Sequence, residues 1–376
     1  MTSTNKTKTI LLTGAFGNVG EQVLRHLCAQ GHNVVCFDVQ TPRNEKIAAG
    51  LRATYTFQTV WGDLRQAETV AQVVQEVQPD TIAHVAAVIA PISYAKPELA
   101  YDVNVNGTAY LIKAAQTLDK ACHFIFVSSY ATYGSRNGAK NLPPLTADTP
   151  QNPMDNYTWH KVLGEKMVLN SGLPYTILRL CAVMAIDPDW GSRPEFRAMI
   201  FLIPLAQRRH GGDVRDIALG IANAATAVEA QNRIFNLAGS DEWRDSAAVY
   251  NRQTLEAAGI GMLPADAFRE VNPERDDVWF YEDWVDTSES ERVLQYQKHG
   301  REAYFELIAR RGFSRMALGL IAPFIRRSMV NGSQFRNQAA PDERTMWDYI
   351  CEVYGCDPAT ASAPPAGYTL PDLLQE

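Results

Sequence analysis

Short apolar runs alternate with amphipathic stretches through the first half of the chain. Ile10–Leu12 predicts a buried strand, and Glu21–Gln30 follows with helical apolar spacing at Val23, Leu24 and Leu27. Asn33–Asp38 (NVVCFD), Tyr55–Asp63, Thr81–Ala87, Cys122–Ser129 (CHFIFVSS) and Tyr175–Cys181 (YTILRLC) predict further strands. Thr69–Val77, Leu99–Thr117 (interrupted only by Gly107) and Tyr157–Asn170 predict the helices between them. This alternation implies an α/β fold, a doubly wound parallel sheet covered on both faces. Beyond Cys181 it fades. Pro188, Pro194 and Pro204 punctuate a mixed stretch through Arg209. Val214–Val228 then predicts a helix, and Arg233–Leu237 a short strand that returns to the sheet.

Composition narrows the class without changing the fold. The chain is 46% hydrophobic and 20% charged, as ordinary globular proteins are. Its net charge of −7 supplies no basic field for nucleic acid. The first residues, MTSTNKTKT, lack the apolar core of a signal peptide. Met316–Ile325 (MALGLIAPFI) is too short to span a bilayer, contains Pro323, and is expected to pack as core. No CxxC pair and no His/Cys/Asp cluster with ligand spacing occurs, so no metal is expected, and buried reduced thiols are. These features together predict a cytoplasmic protein with a loose Ala- and Pro-rich tail over Asp357–Gly367.

Thr9–Gly20 (TILLTGAFGNVG) joins the first strand to the first helix. Its three glycines, Gly14, Gly17 and Gly20, suit a tight turn, a backbone approach to a pyrophosphate, and a close helix–strand contact. The helix start offers unpaired N–H groups and a positive dipole end to the phosphates. Asp38 ends the second strand 18 positions after Gly20, where a carboxylate accepts the hydroxyls of an adenosine ribose. Its negative charge repels a 2′-phosphate, favouring NAD over NADP, although Arg43 nearby softens that preference.

Tyr157-Thr158-Trp159-His160-Lys161 places a phenol and an ammonium one helical turn apart. A phenol near its reference pKa of about 10 is a poor base at neutral pH. A neighbouring ammonium and an oxidised nicotinamide stabilise phenolate and draw that value down. Lys161 is also expected to hold the nicotinamide ribose. Ser128-Ser129 ends the fifth strand, at the carboxyl edge where open α/β sheets bind ligands.

The turn TGAFGNVG resembles the TGxxGxxG turn of the short-chain dehydrogenase/reductase superfamily, in its extended, epimerase/dehydratase-like branch. Asp63-Leu64 is similar to the pair that contacts the adenine, and His84-Val85-Ala86-Ala87 to the segment along the cofactor. Asn104-Val105-Asn106-Gly107-Thr108 looks like the helix segment that supports the active site. The resemblance also implies cofactor contacts from Phe16, Asn18, Val19, Asn104 and Cys181, and a homodimer formed through Leu99–Thr117 and Tyr157–Asn170. Val162, Met167 and Val168 fit such a seam or the sheet equally. SSYATYG (Ser128–Gly134) resembles the family's SSxxxYG, and matching back from Tyr133-Gly134 makes Ser129, rather than Ser128, the hydroxyl that polarises the reacting oxygen.

Two departures bear on the reaction. Tyr130-Ala131 stands where the dehydratase branch has an Asp-Glu pair, which argues against sugar dehydration. Arg179-Leu180-Cys181-Ala182-Val183-Met184 lacks the Asn and Gly-Pro-like turn of the sugar-nucleotide epimerases. The leading expectation is an NAD-dependent oxidoreductase moving a hydride between the nicotinamide and a secondary alcohol or ketone, with Ser129, Tyr157 and Lys161 as its catalytic groups. A sugar-nucleotide epimerase with retained cofactor and a non-catalytic NAD(H) sensor are the alternatives.

The NAD-binding domain is expected to cover 1–181 with return elements around 210–238. A substrate-binding lobe is expected over 182–209 and 239–330, and an extension and tail over 331–376. Arg208-Arg209 is expected to be a solvated pair, and His160 a solvent or interface residue. Trp190, Trp243, Trp279 and Trp284 fit either an apolar, ring-bearing ligand or core.

Overall fold

The computed structural model describes residues 7–186, 199–311 and 315–355. Trp190, Pro188, Pro194 and the Asp357–Gly367 tail lie outside them. Seven parallel strands form the central sheet: β1 (Thr9–Thr13), β2 (Asn33–Asp38), β3 (Gln58–Trp61), β4 (Thr81–His84), β5 (His123–Ser129), β6 (Tyr175–Leu180) and β9 (Arg233–Leu237). Their order is β3-β2-β1-β4-β5-β6-β9. The order reverses beside β1, so a crevice opens between the carboxyl ends of β1 and β4, where such sheets bind dinucleotides.

Side chains of each strand alternate between two cores. Ile10, Leu12, Ala83, Ile125 and Leu178 meet helices α1 (Asn18–Ala29) and α6 (Val214–Ala224) on one face. Leu11, Ile82, Phe124, Phe126 and Ile177 meet α3 (Ala67–Val77), α4 (Gly107–Gln116) and α5 (Asn156–Asn170) on the other. Met167 and Val168 are buried in this core, and Val162 is also buried. The expected long helix over Leu99–Thr117 is continuous from Pro97 but carries one π-turn at Asp102–Asn106, just before Gly107.

Helix α2 (Pro42–Arg52) was not expected; Thr41 caps it, accepting the Asn44 amide at 3.1 Å, and Pro42 opens it. After β6 a second, small sheet is built from β7 (Ala182–Met184), β8 (Arg208–Asp213) and β10 (Arg244–Ser246). Here one expectation fails. Arg208 and Arg209 are no solvated pair: they lie on β8 and meet consecutive carboxylates, Arg208–Asp283 at 2.9 Å and Arg209–Glu282 at 3.0 Å. Trp243 and Trp279 are buried, and Trp284 lies under the Arg208 guanidinium at 4.1 Å.

Residues 333–355 of the extension are packed against the lobe. Arg269, fully buried, pairs with Asp342 at 2.9 Å and donates to the Arg344 carbonyl at 2.5 Å. The final described helix, α8 (Met346–Tyr354), brings Tyr354 to the Tyr94 ring. The Met316–Ile325 run lies in α7 (Arg315–Asn331), but Ile321 and Phe324 face solvent, Phe324 with 75% of its surface exposed, so these two are not core. In the same helix Ala322 is buried, and Arg326 donates to the Met262 carbonyl at 2.7 Å.

Candidate active site

Backbone geometry accounts for two of the three turn glycines directly. Gly14 adopts φ +65°, and a Cβ on it would lie 2.7 Å from the Ala86 Cα. A Cβ on Gly20 would collide with the Gly14 carbonyl. Gly14 donates to the Phe37 carbonyl at 3.0 Å, and Gly17 donates back to Gly14 at 3.1 Å, which closes the turn. Gly17 occupies the N-cap of α1 and provides no side chain to satisfy the first-turn amides of Asn18, Val19 and Gly20. Those amides remain for an anion.

Asp38 is held against the turn. Its Oδ2 accepts the Phe16 amide at 2.9 Å and its Oδ1 the Val39 amide at 2.8 Å. Burial pushes the carboxyl above its ordinary value, while these amides and Arg43 oppose the rise. Arg43 donates to the Phe16 carbonyl at 3.1 Å. Phe16 therefore serves the cradle through its backbone; its ring is fully buried against Trp61. Asp63 pairs with Arg65 at 2.5 Å, which holds its carboxyl below the usual range. Leu64 packs under Gly107, where a Cβ would sit 3.0 Å from it.

Beyond β4 the chain is pinned by side chains. Thr13 Oγ1 and Thr108 Oγ1 hold the two ring nitrogens of His84 at 2.8 and 2.9 Å, and Ala86 donates to Thr13 Oγ1 at 3.3 Å. Asn104, placed by the π-turn, mimics a strand partner for Val88, accepting its amide at 2.8 Å and donating to its carbonyl at 2.9 Å. This sets Ala86 and Ala87 along the crevice opposite Gly14. Cys181 is buried at the end of β6, donating its amide to Leu237 at 2.9 Å.

Strand alternation separates the two serines. Ser128 points away and donates to Glu165 at 2.5 Å, within a buried set in which Arg179 binds Glu165 at 2.7 Å. Ser129 points into the site, caps the turn Tyr130–Tyr133 by accepting the Ala131 amide at 3.2 Å, and is the hydrogen-bonding neighbour of the Tyr157 phenol. Tyr157 stands in the first turn of α5, which Asp155 caps by accepting the Thr158 amide at 2.7 Å. A turn further, Lys161 is buried and donates to the Val127 carbonyl at 2.7 Å.

In the protein alone burial pushes the Tyr157 phenol above its ordinary value, Ser129 counters and Asp155 adds to the rise. The Lys161 ammonium sits 5.9 Å from the Tyr157 ring centroid, and burial lowers it to about 8. One expectation is corrected: His160 is no solvent residue but is buried edge-on against Tyr101, neutral because burial pushes its imidazole down to about 3. Three residues outside the sequence motifs border the site. Tyr281, from the lobe, meets Tyr94 at 2.7 Å, and Tyr94 donates to Asp155 at 2.6 Å. Only Asp155 left a local signal, a capping box with Thr158.

A parallel sheet with a glycine cradle at its reversal point, Ser129 at the carboxyl end of β5, and Tyr157 and Lys161 on the helix packed beside that strand define a dinucleotide-dependent enzyme of the short-chain dehydrogenase/reductase type. The chain belongs to the NAD dependent epimerase/dehydratase family, whose model matches residues 10–238. It is 30% identical over 200 residues to a UDP-glucose 4-epimerase of Lactobacillus helveticus, covering 52% of this chain and 58% of that protein. It is 32% identical over 168 residues to a 3-beta-hydroxysteroid dehydrogenase of Mycolicibacterium neoaurum, 43% of this chain and 42% of that one. The alignments thus span about half the length of these curated relatives. Among solved structures, the fold matches a short-chain dehydrogenase/reductase superfamily protein of Agrobacterium tumefaciens with bound NAD at a TM-score of 0.64 and 20% identity, covering 84% and 99% of the two chains. It matches a Stenotrophomonas maltophila UDP-glucose-4-epimerase with bound NAD at 0.66 and 21%, covering 83% and 99%. The family is NAD dependent, and the cradle fits that cofactor: the bare helix start suits its pyrophosphate, and Asp38 its ribose. No helix among the described residues is long and apolar enough to cross a membrane.

Proposed function

We propose that this chain is an NAD-dependent oxidoreductase acting on a secondary alcohol or its ketone. The observation that carries the reading is Ser129 beside the Tyr157 phenol, with Lys161 one turn on, at the carboxyl end of β5, the strand beyond β4 from the glycine cradle. NAD, held by Gly14–Gly20, Asp38 and Lys161, supplies the hydride acceptor or donor. Ser129 donates a hydrogen bond to the substrate oxygen. Tyr157 takes the hydroxyl proton during oxidation and returns it during reduction. Lys161, fixed by Val127, presents its remaining N–H groups toward the phenol and the ribose. Because burial holds the Tyr157 phenol up in the protein alone, its use as a base needs it drawn down, which Lys161 would do together with the positive charge that a bound oxidised nicotinamide would supply.

The substrate side is assigned to 182–209 and 239–330, with part of the 331–376 extension, since Tyr281 of that lobe reaches the network around Asp155. The reading includes a cytoplasmic location and a homodimer through the Leu99–Thr117 and Tyr157–Asn170 helices, where Leu169 is exposed. The similarity to UDP-glucose 4-epimerase favours one second reading, an epimerase that uses the same residues and keeps its cofactor. Turnover with purified protein separates them: net formation of reduced nicotinamide supports the dehydrogenase, and interconversion without it the epimerase.

A further inference from the structure

Arg208 and Arg209 are neighbours on β8, and Glu282 and Asp283 are neighbours on the segment that crosses above it. Successive strand residues point to opposite faces, so the two ion pairs do different work. Arg208–Asp283 joins Arg136, 2.9 Å from Asp283, and stacks on Trp284. Arg209–Glu282 turns the other way. Its guanidinium lies over the Tyr250 ring at 5.3 Å, and its electrostatic neighbours are Tyr130 and Cys181.

Those neighbours locate the pair. Tyr130 directly follows Ser129, and Cys181 directly follows β6. Arg209–Glu282 therefore stands at the carboxyl ends of β5 and β6, beside the reacting position. A guanidinium there is a ready grip for a phosphate or carboxylate. Glu282 occupies that grip at 3.0 Å. Both groups are largely removed from water, so an incoming anion must displace a carboxylate and leave it buried without a partner, which is strongly unfavourable. The cluster closes on itself: Arg209 Nε meets Glu282 Oε2 at 3.0 Å, and the Tyr130 hydroxyl is a hydrogen-bonding neighbour of Glu282. A polar wall neutralised in this way suits uncharged hydroxyl or carbonyl groups.

We propose that Glu282 is a specificity-determining residue that neutralises Arg209, so that the wall beside Ser129 accepts an uncharged, hydroxyl- or carbonyl-bearing substrate and rejects phosphate-bearing ones. This rests on the alcohol-oxidoreductase reading and narrows its substrate class. Rejection is built in by an occupied cation rather than by bulk.

The test is calorimetric titration of the full chain, loaded with NAD, with uridine 5′-diphosphate and separately with inorganic pyrophosphate. The wild type is expected to bind neither at millimolar concentration. Glu282→Gln frees Arg209 and is expected to bind both at least about 10-fold more tightly, and the double change Arg209→Gln/Glu282→Gln removes the gain. Wild-type binding equal to that of Glu282→Gln overturns the proposal, as does a folded Glu282→Gln protein with no gain. If Glu282→Gln does not fold, the wild-type titration decides alone, with binding counting against and its absence for the proposal. NAD affinity, measured in the same protein, reports separately on the functional reading: its loss contradicts that reading and leaves the result for the Arg209–Glu282 wall unchanged.

Discussion

Tyr94 donates its phenol proton to Asp155 Oδ2 at 2.6 Å, while Asp155 Oδ1 accepts the Thr158 amide at 2.7 Å. One buried carboxylate thus caps the helix that carries Tyr157 and ties it to Tyr281 of the lobe through Tyr94. Asp155→Ala removes the cap, worth about 1 kcal/mol, and strips an acceptor from a buried phenol, worth about 1–3 kcal/mol more. Chemical denaturation should show a loss of about 2–4 kcal/mol. Asp155→Asn, which still caps, should lose less. Equal losses in the two variants would contradict the shared role.

The opposite facing of Ser128 and Ser129 predicts opposite phenotypes. Ser129→Ala should lower kcat by about 100-fold or more, since it removes the donor aimed at the reacting oxygen. Ser128→Ala leaves kcat within a few-fold and costs about 1–3 kcal/mol of stability, because its partner is the buried Glu165. Steady-state kinetics and urea unfolding on both variants check this.

Lys161 gives a pH signature. Burial lowers it to about 8, whereas a lysine in an unfolded chain titrates near about 10.4. Between those values the folded protein binds fewer protons than the unfolded chain, so this residue makes stability rise with pH across the window. Its penalty is complete below about pH 8 and gone above about pH 10.4. The stability of wild type relative to Lys161→Met should therefore increase from pH 8 to pH 10 in parallel denaturation curves. A flat or falling difference would contradict the assignment.

Asp38 predicts cofactor choice. Its carboxylate is fixed by the Phe16 and Val39 amides beside Arg43. Asp38→Asn keeps much of this geometry and removes the charge, so the ratio of NADP to NAD affinity should rise about 10-fold or more, in keeping with about 1.4 kcal/mol per decade. An unchanged ratio would separate Asp38 from ribose recognition.

Much of the sheet and the cofactor side was legible in the chain because both are local. β2 and β9 coincide with the runs Asn33–Asp38 and Arg233–Leu237, where buried apolar residues are bounded by turn residues. The glycine turn, Asp38, and the YxxxK spacing each state their geometry within a few residues. What was not legible depends on distant partners. β8, with the sequence RRHGGD, has no strand pattern of its own; Glu282 and Asp283 neutralise its arginines, and the Tyr250 hydroxyl receives the Gly211 amide at 2.8 Å. α2 hid because only Asn44, Ala48 and Leu51 of it are buried. The rise of the Tyr157 phenol in the protein alone is likewise a tertiary fact, set by its burial and by Asp155, which no local pattern states.

Net hydride chemistry on an alcohol, carried by Ser129, Tyr157 and Lys161, is tested most directly through the absorbance of reduced nicotinamide. Purified wild type and Tyr157→Phe are each given NAD and a panel of uncharged secondary alcohols. The wild type should accumulate reduced cofactor on at least one alcohol. Tyr157→Phe should bind NAD normally yet lose about 100-fold or more of that rate. Equal rates in the two proteins, or turnover confined to epimeric sugar nucleotides with no net reduction, would contradict it.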